Sequence, residues 1–396
     1  MRKLYIINNQ FSAATQYGIG TFIRELQEIM VKANYTVVVV NLCSSLSELK
    51  NEYRNGIQYL HIPKIGHVTL DNENYCKSVA YFLTTQITPK DKVAFQFNYM
   101  HHKPLARILK QLLPDARLIL TVHYLDWIFE LNGDVKMFKQ IISKEYFRNH
   151  LEENIYRSYL NDKDFFQSVD KIVVLCNDTK RLLRDCYHIS KNKIQMINNG
   201  IKDIYQEFNE TNKKLLREKY NFSTQDKLVL FVGRIQQLKG IEILIEAIKP
   251  LLKKDKNIHL LLVGSGDEKE FKKSIIGYWK QIHFVGVLNR KEVYELYQMV
   301  DVGVVPSLYE QFGYVAIEMM MFGLPLIVNA EHGGLKDIFK NEEFCKYVLS
   351  EYKPSVLTSQ LECMLNNKPD GSDLRINFLK KYQSEKLNAY VDLFNI

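Results

Sequence analysis

The sequence predicts an α/β protein made of two Rossmann-like domains that face each other across a cleft. Short apolar runs alternate with amphipathic helical patterns, and this alternation occurs in both halves of the chain. Runs such as residues 36–42 and 227–233 are typical of strands buried in a parallel sheet. Strands that alternate with helices indicate βαβ units. A chain of 396 residues is also longer than one hydrophobic core ordinarily organises, so two domains are expected.

Composition and charge narrow the class of partner. The chain contains 46% hydrophobic and 25% charged residues, which is ordinary for a globular protein. Its net charge of +8 and pI near 8.9 suit an anionic partner such as a nucleotide sugar, an anionic lipid leaflet or nucleic acid. Nothing in the sequence resembles a nucleic-acid-binding module, so we expect no nucleic-acid partner.

Cysteine spacing and hydropathy predict the compartment. The six cysteines form no C-x-x-C pair and have no histidine at metal-ligand spacing, as expected of reduced thiols in the cytosol. Residues 1–12 contain only a short apolar run, which predicts a first strand rather than a signal peptide. No segment approaches the roughly 20 apolar residues of a membrane span. We expect a cytoplasmic protein, with peripheral contact at the inner face of the membrane left open.

The first 42 residues predict a βαβ unit. A strand at residues 3–8, a loop at 11–20 and a helix at 21–33 precede the valine-rich strand at 36–42. Gly18 and Gly20 would let the backbone approach a phosphate closely at the start of this helix. A plain tight turn is the alternative reading of the same glycines.

Polar residues follow two further predicted strands of the first half, at residues 92–97 and 117–122. His101 and His102 come after the first of them, and His123 comes directly after the second. In open α/β sheets, ligands bind beyond the carboxyl ends of the strands. We therefore expect these histidines to point toward a cleft, although any one of them could be an ordinary surface or capping residue.

Residues 126–160 form a long aromatic and basic stretch with a mostly helical pattern. Such a segment can lie on a membrane or hold an acceptor. A helix that packs on the first domain and exposes a charged face explains the same pattern, and we prefer this second reading.

The second half begins with a strand, a basic loop and a helix, at residues 227–233, 234–240 and 241–252. Arg234 and Lys239 lie five positions apart in the loop. Two cations beside the N–H groups of a helix start suit a diphosphate, because the cations neutralise its charge while the N–H groups bind its oxygens.

The stretch from 306 to 337 is the most informative in the chain. An apolar run at residues 300–305 predicts a buried strand, and residues 314–322 read as a helix. Glu310 falls in the loop between them, where a carboxylate can accept hydrogen bonds from sugar hydroxyls. Glu318 lies eight positions further on, about two helical turns along. Open N–H groups near Gly313 can hold an anionic phosphate.

These motifs resemble glycosyltransferase family 4, the group 1 glycosyltransferases of GT-B fold with retaining chemistry. The resemblance is carried by the Glu-x7-Glu pair with Phe312-Gly313 and by the Gly-Arg…Lys-Gly loop of Arg234 and Lys239. Gly323-Leu324-Pro325, Gly333-Gly334 and the turn at Gly264 are similar to further family elements. Asp337, Tyr124 and Asn198 stand where the family usually has Glu, Asp and Pro.

The resemblance implies a role for each matched residue. Four residues would act in catalysis: Glu310, His123, Arg234 and Lys239. Eleven would bind the donor: Gly18, Gly20, Arg234, Lys239, Gly264, Leu288, Glu310, Phe312, Gly313, Tyr314 and Glu318. Within this set Glu318 would hold the ribose, and the backbone near Leu288 would contact the base. The cations would stabilise the charge that develops on the departing diphosphate.

The resemblance also implies a domain plan and a reaction. Residues 1–203 would form the acceptor-side domain and 204–374 the donor domain, while 375–396 would form a closing helix packed on the first domain. The co-substrate would be a nucleotide-diphosphate sugar, with UDP favoured by family usage. No Asp-x-Asp motif occurs in a suitable loop, so we expect no required metal or other cofactor. The acceptor, whether a glycan, a lipid-linked saccharide or a peptide, stays open.

Two other functions stay open from sequence. A nucleotide-sugar epimerase of the same fold should show extra carboxylates near the anomeric centre, and the context of the two glutamates argues against it. An inactive partner subunit should have lost Arg234, Lys239 or Glu310, and all three are present.

Overall fold

Valine- and isoleucine-rich segments form strands that are buried along most of their length. In β2 (Thr36–Ser44), every residue after Thr36 is buried, because helices cover both faces of a parallel sheet. The computed structural model describes residues 1–9, 18–67, 69–206, 209–266, 271 and 273–395. Of the predicted loop at residues 11–20, residues 11–17 lie outside the described residues.

The described chain forms two compact units, each built on its own sheet. Unit 1 comprises Met1–Lys202 with Gln383–Ile396, and unit 2 comprises Asp203–Tyr382. The predicted fold class, two α/β domains on parallel sheets, is therefore confirmed. The exact domain limits stay a prediction.

Eight strands form the sheet of unit 1 in the order β3-β4-β2-β1-β5-β6-β7-β8, and all neighbours except β3 and β4 run parallel. The strands are β1 (Arg2–Asn9), β2, β3 (Lys50–Arg54), β4 (Ile57–Pro63), β5 (Lys92–Phe97), β6 (Arg117–Val122), β7 (Lys171–Val174) and β8 (Ile194–Met196). The helices are α1 (Gly18–Lys32), α2 (Glu73–Thr84), α3 (Lys103–Leu112), α4 (Asp126–Glu130), α5 (Val135–Ile142), α6 (His150–Ser168), α7 (Asn177–Asp185) and, near the C-terminus, α15 (Ala389–Phe394).

Five parallel strands form the sheet of unit 2 in the order β11-β10-β9-β12-β13. They are β9 (Lys227–Val232), β10 (Ile258–Val263), β11 (Ile282–Gly286), β12 (Val302–Val305) and β13 (Leu326–Val328). The helices are α8 (Glu210–Lys219), α9 (Ile241–Lys254), α10 (Arg290–Met299), α11 (Tyr314–Met321), α12 (Gly333–Ile338), α13 (Pro354–Asn367) and α14 (Ser372–Lys381).

Each sheet reverses its strand order once. The order turns between β1 and β5 in unit 1 and between β9 and β12 in unit 2. At such a reversal the loops after the two strands diverge, which opens a crevice at the carboxyl edge where ligands bind. In unit 2 the two diverging loops carry Lys239 and Glu310.

Three predicted elements differ from the structure, and one observed strand was not predicted. Helix α1 begins at Gly18, so Gly18 and Gly20 lie in its first turn and not in a loop. The polar strand β3 was not predicted, because its exposed sequence has no apolar face and it forms by pairing with β4. The segment at 126–160 contains three helices, separated where Asn132 and Gly133 adopt positive φ and where Asn149 caps α6.

The predicted single helix at the C-terminus is also interrupted. Helix α14 ends at Lys381, and a 3₁₀ turn (Ser384–Asn388) precedes α15. Arg375 of α14 bonds Asp203 of unit 2 at 2.6 and 3.0 Å. Tyr390 of α15 instead packs on Phe22 of unit 1. The two helices therefore belong to different units, which a continuous helical pattern could not reveal.

A buried ion pair fixes the start of the unit 2 sheet. Arg217 is 4% exposed, and its guanidinium donates to Asp301 at 2.8 Å and to the carbonyls of Met299 and Asp226 at 3.0 and 2.7 Å. The same carboxylate of Asp301 accepts a hydrogen bond from the N–H of Leu228. Helix α8 is thereby joined to the start of β9 and the end of α10.

We expect Arg217→Ala to lower the free energy of unfolding by at least about 2 kcal/mol, because it leaves Asp301 Oδ2 and the buried carbonyls of Met299 and Asp226 without their donor. Lys213, 3.1 Å from Asp301 Oδ1, would still pair with the carboxylate. Urea unfolding followed by circular dichroism measures the change. Lys214→Ala, on the exposed face of the same helix, is the control and should change the value by about 0.5 kcal/mol or less. Equal effects of the two substitutions would contradict the proposed importance of the Arg217 network.

Candidate active site

The loops that follow β9 and β12 meet at the carboxyl edge of the unit 2 sheet. The N–H of Leu308 donates to the carbonyl of Leu238 at 2.9 Å. Gly240 has a φ of +72°, and a Cβ on it would lie 2.2 Å from the carbonyl oxygen of Pro306. Only glycine combines this left-handed conformation with so close an approach. Lys239 and Glu310 are therefore brought together by backbone packing.

Lys239 and Glu310 form an ion pair inside this contact. The ammonium of Lys239 donates to Glu310 Oε1 at 2.5 Å, and both side chains are about one-fifth exposed. The hydroxyl of Ser307 donates to the same oxygen at 2.8 Å. Among the described residues, Glu310 Oε2 accepts no hydrogen bond. One carboxylate oxygen thus fixes the side chain while the other can accept a hydrogen bond from a ligand.

The other end of the Glu310 loop is held by the Gly333-Gly334 pair at the start of α12. The N–H of Gly334 donates to the Glu310 carbonyl at 2.6 Å. Gly333 has a φ of +69°, and a Cβ there would lie 2.1 Å from that same oxygen. The buried amide of Asn329 also donates to the carbonyl of Ser307 at 3.1 Å. The loop is therefore fixed on both sides of Glu310.

Arg234 and Gly264 lie in neighbouring turns. Ile235 follows Arg234 and donates its N–H to the carbonyl of Ser265 at 2.9 Å. The N–H of Gly264 donates to the carbonyl of Gly286, the last residue of β11. Leu288 follows two residues later, before the Asn289 cap of α10. The turns after β9, β10 and β11 are thus joined edge to edge, and Arg234 is exposed there.

Glu318 lies in the second turn of α11, and its carboxylate is held by α10. The phenol of Tyr297 donates to Glu318 Oε2 at 3.0 Å, and a guanidinium nitrogen of Arg290 lies 3.9 Å from Oε1. Burial, and then the charge of Glu318, raises the pKa of Tyr297 well above its usual range, so the phenol stays protonated. Sequence reasoning missed Tyr297 and Arg290, because the spacing within α10 does not show which residues face Glu318.

Phe312, Gly313 and Tyr314 form the start of α11. Gly313 is the N-cap residue of α11, so the backbone N–H groups of the next residues lie at the start of the helix and have no partner within it. The Phe312 ring is 4% exposed and packs against Tyr314 and Tyr382 at 5.0 and 6.2 Å between ring centroids. Any contact of Phe312 with a donor would therefore be made by its backbone.

In unit 1, His123 belongs to a polar network at the carboxyl ends of β5 and β6. Its Nε2–H donates to Asn98 Oδ1 at 3.3 Å, which leaves Nδ1 as an acceptor. Gln96 donates to Asn98 and to Thr121, and Thr121 bonds the hydroxyl of Tyr390 at 3.0 Å. Burial lowers the pKa of His123 to about 3, so the imidazole is neutral near pH 7.

His102 differs from the prediction, whereas His101 is exposed. His102 has no exposed surface, and its ring packs on Phe97 and Tyr99. It is therefore a core residue and does not point into solvent. Gly18 and Gly20 lie in the first turn of α1, next to residues outside the described part of the chain.

Neither a metal-ligand cluster nor a membrane-spanning helix occurs in the described part of the chain. No group of three or more His, Cys, Asp or Glu side chains is arranged there to hold a metal ion. No helix in those ranges has both the length and the apolar character needed to cross a membrane.

The two parallel-sheet units define the fold as GT-B, the fold of the solved structures with which the chain superposes. Sucrose-phosphate synthase from Thermosynechococcus elongatus superposes with a TM-score of 0.76 at 18% identity, covering 99% of this chain and 98% of that one. Anabaena HepE, solved with UDP and glucose, superposes with a TM-score of 0.72 at 15% identity, covering 98% of both chains. At these identities the likeness establishes the fold.

The family follows from sequence. The model described as "Glycosyl transferases group 1" matches residues 212–381, and the model described as "Glycosyltransferase Family 4" matches residues 17–203. The chain belongs to glycosyltransferase family 4, group 1, as its motifs predicted.

Individual relatives match over part of their length. An uncharacterized glycosyltransferase of Methanocaldococcus jannaschii is 32% identical over 177 residues, which is 43% of this chain and 45% of that protein. D-inositol 3-phosphate glycosyltransferase of Corynebacterium glutamicum is 29% identical over 209 residues, 47% of this chain and 50% of that protein. The aligned segment thus spans about half the length of these curated relatives.

We expect Gly240→Ala to lower the free energy of unfolding by at least about 2 kcal/mol, since the new Cβ would meet the Pro306 carbonyl in a left-handed conformation. Chemical denaturation measures the change. Gly277→Ala is the matched control, because no atom lies within 4 Å of the position its Cβ would take and its φ is not positive. If the two variants were equally stable, the close packing of the two loops would not be the constraint described above.

Proposed function

We propose that the protein is a retaining glycosyltransferase that moves a sugar from a nucleotide-diphosphate sugar, with UDP as the nucleotide, to an acceptor hydroxyl. The Lys239–Glu310 ion pair at the strand-order reversal of unit 2 carries this proposal. It places a cation for a diphosphate next to a carboxylate for sugar hydroxyls. Membership of the family and the UDP bound to HepE support the same donor class.

The diphosphate is proposed to bind the loop after β9. Arg234 is exposed and Lys239 is partly exposed, so both cations can reach an anion. The N-terminus of the 14-residue helix α9 follows at Gly240 and presents open N–H groups. Charge-assisted hydrogen bonds of this kind are about twice as strong as neutral ones.

Glu310 is proposed to have two tasks, one for each oxygen. Through Oε1 it holds the Lys239 ammonium, which has three N–H donors and can bind a phosphate oxygen at the same time. Through Oε2 it accepts hydrogen bonds from the sugar. When the bond between the anomeric carbon and the diphosphate oxygen breaks, negative charge moves onto the diphosphate. Arg234 and Lys239 stabilise that charge. The acceptor oxygen forms the new bond to the anomeric carbon with the original configuration, and the proton of the acceptor hydroxyl passes to the departing diphosphate oxygen.

Glu318 is proposed to bind the ribose hydroxyls, with Tyr297 as its positioning residue. The hydrogen bond from Tyr297 and the nearby Arg290 fix the position of the carboxylate. His123 stays a predicted catalytic residue. Its neutral imidazole could only act as a hydrogen-bonding group near pH 7, and not as a cation.

A thermal-shift screen against UDP, GDP, ADP, CMP and their sugar conjugates tests the function first. We expect UDP and a UDP-sugar to raise the melting temperature and Arg234→Ala to abolish the rise, because a ligand of the native state stabilises it by mass action. Lys273→Ala, which removes an exposed cation elsewhere in unit 2, should leave the shift intact. Stabilisation by another nucleotide would overturn the UDP assignment, and none at millimolar concentration would overturn the glycosyltransferase proposal.

Turnover assays then separate the remaining possibilities. Consumption of a UDP-sugar with an acceptor, giving a product of unchanged anomeric configuration by NMR, is the expected result. A donor that is isomerised without an acceptor would point to an epimerase. Tight binding without any consumption would point to an inactive partner subunit.

Tyr297→Phe tests the positioning of Glu318. We expect the KM for the donor to rise about 10-fold with little change in kcat, equivalent to the loss of roughly 1.5 kcal/mol for a hydrogen bond to a charged group. The variant should also discriminate less against a 2′-deoxyribose donor than the parent protein does. Tyr220→Phe is the control, since it removes a tyrosine hydrogen bond to another carboxylate, that of Glu295, at 2.8 Å. A stability loss with unchanged donor discrimination would show a purely structural role.

A further inference from the structure

Half of the net charge of the chain is concentrated in one short segment. Residues 171–193 contain six Lys and Arg and two Asp, a net charge of +4, whereas the whole chain carries +8. This segment forms β7, α7 and the turn before β8, at one edge of the unit 1 sheet. It contains none of the residues assigned to the donor.

Four of the six cations of this segment line a surface cavity of about 300 Å³. Helix α7 contributes most of the wall, and the turn and first residue of β8 contribute the rest. The lining residues are Asn177, Lys180, Arg181, Arg184, Lys191 and Ile194. The long side chains and buried Ile194 make the wall largely apolar, while four cationic groups belong to the same lining.

These charges are incompletely neutralised. Arg181 pairs with Asp178, and Arg184 pairs with Asp185 at 2.6 Å; both acids belong to α7 itself. Lys180 and Lys191 have no ion-pair partner among the described residues. Like charges held close together destabilise one another unless an anion lies between them. The cavity therefore carries an excess of positive charge that a ligand can compensate.

A second groove in the same unit provides a comparison, because a carboxylate neutralises its cations. It has a volume of about 210 Å³ and lies between α2 and α3. Its cations Lys77 and Arg107 both lie near Glu73, at 3.4 and 3.5 Å. A carboxylate already occupies the position an anion would take there. The cavity at α7 has no such acid in its lining.

We propose that the α7 cavity binds a phosphate group of a ligand other than the sugar donor. Guanidinium and ammonium groups are the side chains best suited to phosphate. Asp185 accepts hydrogen bonds from Nε and Nη2 of Arg184, so the phosphate would be bound by the ammonium groups of Lys180 and Lys191 together with the remaining N–H groups of the arginines. The apolar stems and Ile194 would contact the part of the ligand that carries the phosphate. This site shares no residue with the proposed diphosphate site, because Arg234 and Lys239 belong to unit 2.

Isothermal titration with inorganic pyrophosphate tests the site, in an Arg234→Ala background so that the proposed donor site does not contribute. We expect pyrophosphate to bind at one site. The double substitution Arg184→Gln and Lys191→Gln should lower the affinity roughly 10-fold or more, and high salt should lower it too. Both substituted side chains are exposed, so the fold should be kept; equal melting temperatures check this. A variant that carries Lys77→Gln and Arg107→Gln in the same Arg234→Ala background is the control. It should bind pyrophosphate with the affinity of the Arg234→Ala protein.

Cosedimentation with vesicles identifies the source of the phosphate. Binding to phosphatidylcholine vesicles that contain phosphatidylglycerol, lost in the Arg184→Gln, Lys191→Gln variant, would support a lipid headgroup. Pyrophosphate binding without vesicle binding would support a soluble phosphate compound. If the variant bound pyrophosphate as tightly as its background, the proposal would be overturned. The proposed glycosyltransferase function would be unaffected, since its test is the rise in melting temperature that nucleotides cause in the protein with Arg234 intact.

Discussion

Backbone packing between the loops that follow β9 and β12 is the constraint on which the candidate donor site depends. Gly240 lies against the carbonyl of Pro306, and Gly333 lies against the carbonyl of Glu310, at distances that no side chain could share. Both contacts involve main-chain atoms, which cannot rotate away as a side chain can. The loop that carries Glu310 is therefore fixed before any ligand binds, and its carboxylate meets Lys239 without further ordering. Preorganisation of this kind is what electrostatic stabilisation of a developing charge requires.

The charged groups around this loop are arranged in pairs. Lys239 is held by Glu310, and Glu318 is held by Tyr297 with Arg290 nearby. A charge that is partly buried and paired keeps its ionised form at less cost than an isolated one. The proposed diphosphate would add a second anion to Lys239 and would give the exposed Arg234 an anionic ligand. Donor binding would thus complete an existing arrangement of charges instead of assembling one.

Unit 1 distributes its polar groups differently. Its network of Gln96, Asn98, Thr121 and His123 consists of neutral groups and includes the hydroxyl of Tyr390 from the C-terminal helix. A second feature of this unit, the cavity beside α7 at one edge of the sheet, is lined by four cationic side chains. The two features suit different chemistry, since neutral donors and acceptors orient hydroxyl-bearing groups whereas an uncompensated basic cavity attracts phosphate.

The sequence by itself determined the fold class and the loops of the donor site, because those loops are contiguous and their glycines, cations and acids stand at fixed spacing after recognisable strands. Arg234, Lys239, Glu310 and Gly313 could all be found in this way. Only the tertiary structure decided which distant residues meet. Tyr297 faces Glu318 because α10 packs beside α11, and Tyr390 reaches Thr121 because the C-terminal pattern breaks after Lys381. Helical periodicity in a sequence shows that one face of a helix is buried, but it does not show which residues cover that face. The same periodicity can also extend across a position where tertiary packing ends one helix and begins another.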